Sequence, residues 1–149
     1  MSSSQQQVPR LFTVDEANGL LPALVPIVQR ILDNLDTLRE KSETVVRTER
    51  LSPASPELMK SLQRNEAIAR LIQEVKCLAD EINAYGCICK GIEEGLVDFP
   101  CMLGGEIVFL CWRFGDESVG HWHKIEDGFA GRKPLLDGEE GGDGNVSYH

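Results

Sequence analysis

The sequence has little positive charge and no long apolar run. Of its 149 residues, 15 are Lys or Arg and 24 are Asp or Glu, which gives a net charge of −9. Because an acidic chain repels phosphate groups, we expect no nucleic-acid partner. No apolar stretch approaches the roughly 20 residues of a membrane helix, and the start, MSSSQQQVPR, lacks a basic segment followed by an apolar one. These absences predict a cytoplasmic protein with no membrane partner.

The spacing of the cysteines matches no strong pattern. There are five cysteines, and an odd number without an export signal favours reduced thiols over disulfides. Cys87 and Cys89 share one face of a predicted strand, but they lack the tight Cys-x-x-Cys spacing of a zinc turn. With His121 and His123 they can form a zinc site only if the first and last strands meet. Small buried thiols are the commoner interpretation.

The segment FTVDEANGLLP predicts the start of a long helix. Thr13 and Glu16 form a capping box, in which the side chain of each accepts a hydrogen bond from the backbone of the other. We expect an irregular first turn at Pro22, and an end near Arg47 or Arg50. Apolar residues then recur in alternating steps of three and four, the pattern of a heptad seam: Leu21, Leu24, Val28, Ile31, Leu35 and Leu38.

A second helix follows a short break. In LSPASPE, Ser55 suits the N-cap and Pro56 the first helical position. An apolar stripe continues to Tyr85, and Gly86 suits the left-handed position that ends a helix. The two helices, each roughly 45 Å long, predict an antiparallel hairpin over residues 13–85. Helices this long have too little chain to pack against, so we expect a homo-oligomer formed through them.

After Gly86 the apolar period becomes strand-like. CICK, LVDFP, EIVFLCWRF and VGHWHKI read as strands, with LVDFP ending at Pro100 and LGG forming a hairpin turn. They predict an antiparallel β-meander of three to four strands over residues 87–125, followed by a C-terminal strap over 126–135. The fold class is therefore α+β, with one domain over residues 12–135. We expect disordered tails at 1–11 and, with acidic character, at 136–149.

A histidine pair is the most visible candidate for chemistry. His121 and His123 are two apart on a predicted strand, so they share a face and could chelate a metal. No second ligand motif follows in the chain, and the alternative is one histidine in a local hydrogen bond and one in solvent. The sequence therefore predicts no metal and no other cofactor. If a metal binds, its candidate ligands are His121, His123 and Asp98.

Asp98 lies within an apolar strand and needs a partner there. The candidate partners are Lys90, Arg113, Arg132 or a histidine. Asp98 is then either a general base or metal ligand, or one half of a structural salt bridge. In GFAGRKP, Arg132 follows a glycine turn, and this segment either binds a carboxylate or phosphate or acts as a strap that closes the sheet.

Four segments, FTVDEANGLLP, GIEEGLVDFP, LCWRFGDE and WHKIEDGFAGRKPL, together resemble a mostly bacterial family, domain-of-unknown-function family 2203. The resemblance runs from Leu11 to about Leu135 and implies no activity. It implies which positions belong to the family pattern and favours one set of polar residues in or beside the sheet: Lys90, Asp98, Glu117, His123 and Arg132. His121 and the cysteine pair are not part of that pattern.

Two functions are consistent with these features. The first is a homo-oligomerising assembly or interaction protein with a polar pocket at its sheet. The alternative is a small enzyme or ligand-binding protein that uses an Asp/His/Arg cluster for a small anionic ligand. The catalytic candidates are Asp98, His123 and Glu117. The ligand-binding candidates are Lys90, Arg113, Arg132, Trp112 and Trp122.

Overall fold

The computed structural model describes residues 10–135 and confirms the α+β class. Disorder was predicted for residues 1–11 and 136–149, and of these 1–9 and 136–149 lie outside the described residues. Within residues 10–135, three helices come first and five strands follow, with a 3-10 turn at Phe129–Gly131. The helices are α1 (Val14–Glu49), α2 (Pro56–Arg64) and α3 (Glu66–Ala84); the strands are β1 (Ile88–Gly91), β2 (Leu96–Leu103), β3 (Glu106–Arg113), β4 (His121–Lys124) and β5 (Lys133–Pro134).

Helix α1 begins and ends as the sequence predicts. The backbone N–H of Glu16 donates to Thr13 Oγ1, and that of Thr13 donates to Glu16 Oε1, both at 2.9 Å. Arg50 ends the helix in the left-handed conformation, with φ of 55°. The helix is continuous through Pro22, so the irregular turn expected there does not interrupt it. Among the described residues, no helix combines the length and the apolar character needed to cross a membrane.

The second arm of the hairpin is two helices rather than the single one predicted. The chain is extended at Asn65, with φ of −81° and ψ of 114°, between α2 and α3. Asn65 Oδ1 accepts a hydrogen bond from the backbone N–H of Ile68 at 3.0 Å. Asparagine competes with helical hydrogen bonds in this way, which makes it a good N-cap and a poor interior residue. The apolar stripe continued through this position and hid the break.

The two arms are antiparallel, as predicted. Near one end Arg10 Nη1 donates to the carbonyl of Tyr85 at 2.7 Å. Further along, Arg30 of α1 and Glu74 of α3 form an ion pair. Residues early in α1 therefore meet residues late in α3, and the loop and α2 lie at the far end.

The five strands form one antiparallel sheet in the order β1-β2-β3-β4-β5. Gly104 and Gly105, both with positive φ, make the predicted turn between β2 and β3. Leu103 lies opposite Glu106 on either side of this turn, and the pairing continues outward without a bulge. A two-residue turn fixes the register of a hairpin. The register therefore decides which side chains share a face.

Strand β2 runs through Pro100 to Leu103, so the predicted end at Pro100 was wrong. Pro100 has no N–H to give to a neighbouring strand. Its carbonyl, which points to the same side as its nitrogen, accepts a hydrogen bond from the backbone N–H of Phe12 at 2.7 Å. The missing donor therefore faces the N-terminal segment rather than β3, and pairing with β3 is intact.

A fifth strand extends the predicted three to four. Lys133 and Pro134 of the strap pair with Trp122 and His121 of β4. Two residues are too few to show an alternation pattern, so this strand could not be recognised from the sequence. The pairing holds the strap against the edge of the sheet.

The sheet has an inner face, which packs on the helical hairpin, and an outer face opposite to it. The ring of Phe99 on the inner face meets Phe12 edge-on, with centroids 5.3 Å apart. One buried cluster joins α1 and α3 to the inner-face residues Val97, Phe99, Cys101, Leu103, Val108, Leu110, Trp112 and Trp122. Because side chains alternate along a strand, the residues between these point outward.

Candidate active site on the outer face of the sheet

Three residues capable of chemistry converge on the outer face. Asp98 of β2 lies directly opposite Cys111 of β3, and His123 of β4 lies opposite Phe109 of β3. Asp98, Cys111 and His123 are 3%, 1% and 2% exposed. One carboxylate oxygen, the thiol sulfur and one ring nitrogen all lie within 4.8 Å of one another. We call these three residues the polar centre.

The geometry of the Asp98–His123 hydrogen bond indicates how many protons the two side chains hold. His123 Nε2 lies 3.1 Å from Asp98 Oδ2, and His123 Nδ1 lies 2.9 Å from the carbonyl of Lys124. A carbonyl oxygen only accepts, so Nδ1 carries a proton. The second proton of the pair then lies between Nε2 and Oδ2, on an imidazolium or on a carboxylic acid. In either form the pair shares one proton and has no net charge.

Burial sets the properties of Asp98. Loss of water raises the pKa of its carboxyl group above the ordinary value, and the neighbouring His123, Lys90 and Cys111 partly oppose this rise. A carboxyl group in this position accepts a proton more readily than one in water. The sequence left the partner of Asp98 open between several cations and a histidine, and in the structure a histidine, His123, forms the hydrogen bond.

Cys111 is a member of the centre that the sequence reasoning missed. The Cys111 sulfur lies within 4.8 Å of a carboxylate oxygen of Asp98. The pKa of the thiol is raised to about 12, chiefly by burial and also by Asp98, while Arg132 opposes the rise. The thiol is therefore protonated near neutral pH and unreactive as a nucleophile. Counting outward from the Gly104–Gly105 turn would have put it opposite Asp98.

Two cationic side chains flank the polar centre. Lys90 of β1 has its Nζ 5.2 Å from the centroid of the Phe109 ring, and it is close enough to lower the pKa of Asp98. Arg132, in the strap, contacts Cys111. The Phe109 ring also meets the His123 ring edge-on, with centroids 5.5 Å apart. The site thus has an acid–base centre and a cation on each side.

His121 borders the same site. It lies opposite Cys111 and shares the outer face with His123, as the sequence predicts. Its Nδ1 is buried and has no hydrogen-bond partner within residues 10–135. A buried ring nitrogen without a partner is uncommon. His121 is therefore the side chain best placed to join a ligand at the centre.

The other sequence candidates lie elsewhere. Trp112 and Trp122 belong to the inner-face core, and Trp112 Nε1 donates to the carbonyl of Asp116 at 3.0 Å. Arg113 is exposed at the end of β3, opposite Leu96. Glu117 lines a separate surface cavity of about 530 Å³ next to α1, together with Asn18, Leu21, Pro22, Val25, Pro26 and Ser118.

Comparison with known protein families identifies one match. Residues 10–135 match the model of DUF2203, which is described as an uncharacterized conserved protein. The chain belongs to this family. The DUF2203 match covers the hairpin, the sheet and the strap, and therefore the whole polar centre. No match was found among curated proteins or among solved structures.

Proposed function

We propose that this DUF2203 protein binds a small anionic ligand at the polar centre and exchanges a proton with it. The observation that carries the proposal is the buried Asp98–His123 hydrogen bond, flanked by Lys90 and Arg132. The ligand would be a carboxylate or a phosphate, since these are the anions that lysine and arginine side chains bind best.

The balance of charge supports an anion. The Asp98–His123 pair is neutral as a unit, and the Cys111 thiol is uncharged. Lys90 and Arg132 both act electrostatically on this centre, Lys90 on Asp98 and Arg132 on Cys111. A partly buried site of this kind favours an anion more than an exposed pair of cations does, because water screens it less.

The position of the proton supports acid–base chemistry. One proton lies between Asp98 Oδ2 and His123 Nε2, and the second ring nitrogen is held by the carbonyl of Lys124. That carbonyl fixes the orientation of the ring. A ligand that reaches Nε2 or Oδ2 could give or take this proton, which is the role of a general acid or base.

Calorimetric titration tests the proposal. Inorganic phosphate and malonate serve as probes, with chelator-treated full-length protein. We expect Lys90→Ala and Arg132→Ala to weaken binding of the preferred probe by about tenfold each, which is the loss of one charged hydrogen bond. Lys76→Ala, an exposed residue of α3 with the same change in charge, is the control. The proposal fails if neither probe binds, or if all three variants bind alike.

We also propose that the protein forms a homo-oligomer through its hairpin. Much of the heptad seam is covered within the chain, since Leu21, Leu24, Val28 and Ile31 are buried. Other apolar side chains of the helices remain exposed, notably Val25, Met59 and Ile72. Exposed apolar groups of this kind favour association when they are contiguous. Sedimentation velocity tests this: a stable monomer, or an oligomer unchanged in Val25→Glu and Ile72→Glu, would contradict it.

The state of the thiols supports the proposed cytoplasmic location. All five cysteines are free, and three of them are buried. Free thiols persist in a reducing compartment.

A further inference from the structure

We propose that Asp98, Cys111 and His123 bind a single Zn²⁺ ion. The three side chains offer a carboxylate oxygen, a thiolate sulfur and an imidazole nitrogen, which are the three kinds of ligand that zinc takes in proteins. This inference deepens the proposed function, because the ion would sit at the base of the same ligand site.

The spacing of the ligand atoms suits a tetrahedral ion. They lie within 4.8 Å of one another. Zinc bonds of roughly 2.0–2.3 Å separate tetrahedral ligands by about 3.3–3.8 Å. Small side-chain rotations therefore bring the three atoms to these distances. The Asp98–His123 hydrogen bond would be exchanged for two bonds to the metal.

The scaffold of the site is rigid. The ligands come from β2, β3 and β4, which are paired side by side in one sheet. Their backbones are fixed by the regular pairing between Asp98 and Cys111 and between Phe109 and His123. A site on paired strands loses little conformational entropy when the ion binds, since its ligands are already held near their final positions.

His121 supplies an independent observation. Its ring lies opposite Cys111 on the same face, and its buried Nδ1 lacks a hydrogen-bond partner in the described part of the chain. His121 is not among the residues whose ligand atoms lie within 4.8 Å of one another, so its ring would have to move toward the centre to supply the fourth ligand of a tetrahedral set. If His121 stays out, the fourth position is open to water or to the anion that Lys90 and Arg132 attract, as in catalytic zinc sites.

The charges of the site are compatible with the ion. Binding would release two protons to solvent, the one shared by Asp98 and His123 and the one on the Cys111 thiol. The resulting carboxylate and thiolate offset the two charges of Zn²⁺, so the filled centre is neutral. Thiolate and imidazole together favour zinc over magnesium or calcium, which prefer oxygen ligands only. Arg132, which contacts Cys111, would act on the thiolate as an outer hydrogen-bond donor.

Cobalt substitution tests the proposal in the full chain. Chelator-treated protein is titrated with Co²⁺, whose bond to a thiolate gives a charge-transfer absorption band and whose tetrahedral sites give intense visible bands. We expect one Co²⁺ per chain, displaced by one Zn²⁺. Cys111→Ser and His123→Gln should each weaken binding by about 100-fold or more, and His121→Gln by about tenfold.

A matched variant separates metal binding from folding. Cys101→Ser also puts a hydroxyl at a buried cysteine of the sheet, but on the inner face, and should keep the cobalt spectrum. The inference is overturned if the wild type gives no thiolate band, if Cys111→Ser keeps it, or if Cys101→Ser loses it equally. Anion titration of the metal-free protein separates the two proposals. If the protein binds phosphate or malonate but does not bind cobalt, only the zinc site is overturned. If it binds cobalt but neither anion, only the proposed anion site is overturned.

Discussion

Asp98 and His123 form a hydrogen bond of 3.1 Å although their strands are not neighbours in the sheet. Asp98 comes from β2 and His123 from β4, with β3 between them. The two side chains meet above Cys111, which lies on β3 directly opposite Asp98. One buried contact therefore connects three strands on the face that the helices leave uncovered.

This contact should be measurable as a coupling free energy. We expect Asp98→Ala and His123→Ala each to lower the free energy of unfolding by about 2–3 kcal/mol, since each leaves a buried polar group unpaired. The double variant should lose about 1–3 kcal/mol less than the sum. Urea denaturation with chelator present gives the four values.

The exposed ion pair between Arg30 and Glu74 is the control for that cycle. Its side chains are 62% and 40% exposed, and such pairs couple by less than about 1 kcal/mol. Equal coupling in the two cycles would mean that the Asp98–His123 bond adds nothing through its burial.

Gly95 is a second sensitive position. It has φ of 71°, and a Cβ there would lie 2.7 Å from the Cβ of Phe114. Gly95→Ala should therefore lower the free energy of unfolding by roughly 1–3 kcal/mol, through backbone strain and a clash that cannot relax easily. Gly120→Ala is the control, because nothing lies within 4 Å of an added Cβ there. Equal thermal midpoints for the two variants would contradict the prediction.

The buried thiols predict a loss of stability at alkaline pH. Burial raises the pKa of Cys87 to about 11 and that of Cys101 to about 12, from an ordinary value of 9.0. Above about pH 9 the unfolded chain loses these protons while the folded chain keeps them, so the folded state binds more protons. The free energy of unfolding should then fall as the pH rises from about 9 to about 11.

The variant Cys87→Ala/Cys101→Ala tests this linkage. Its free energy of unfolding should fall less steeply with pH, by up to about two protons in the slope. Cys77→Ala is the control, because Cys77 is exposed. Identical slopes in the wild type and the double variant would show that these thiols titrate alike in both states.

Thiol labelling gives an independent check on the packing. Cys77 is exposed, Cys89 is half-buried, and the other three cysteines are buried. At about pH 8 we expect one fast reaction with Ellman's reagent, because a thiol must be both accessible and ionised to react. Cys77→Ser should remove it, and denaturant should expose all the remaining thiols. A fast-reacting thiol in Cys77→Ser would mean that part of the sheet opens.

Local signals in the sequence predicted much of the fold. The capping box of Thr13 and Glu16 fixed the start of α1, and the glycine turn fixed the β2–β3 hairpin. The features that sequence reasoning missed depend on contacts distant in the chain. Pro100 remains in a strand because its nitrogen, which has no hydrogen to donate, faces Phe12 rather than β3. Strand β5 forms because the strap reaches the edge of β4.

The candidate site was predictable in part. Asp98 stood out because a carboxylate inside an apolar strand needs a partner, and His123 was among the partners named. Cys111 could have been added from the register of the hairpin, since Asp98 lies opposite it. The same register puts Trp112 opposite Val97, on the helix-facing side. Which histidine reaches over β3 could not be read from spacing, because His121 and His123 share one face.

The segment from Lys90 to Arg132 provides the three residues of the polar centre and the two cations that flank it. The helical hairpin provides none of these side chains. The hairpin supports this segment from behind, through the inner face of the sheet. Substitutions on the solvent side of α1 or α3 therefore leave the residues of the polar centre in place. Relatives in the family can differ along these helices and still keep the same site, so the two halves of the fold can be varied separately.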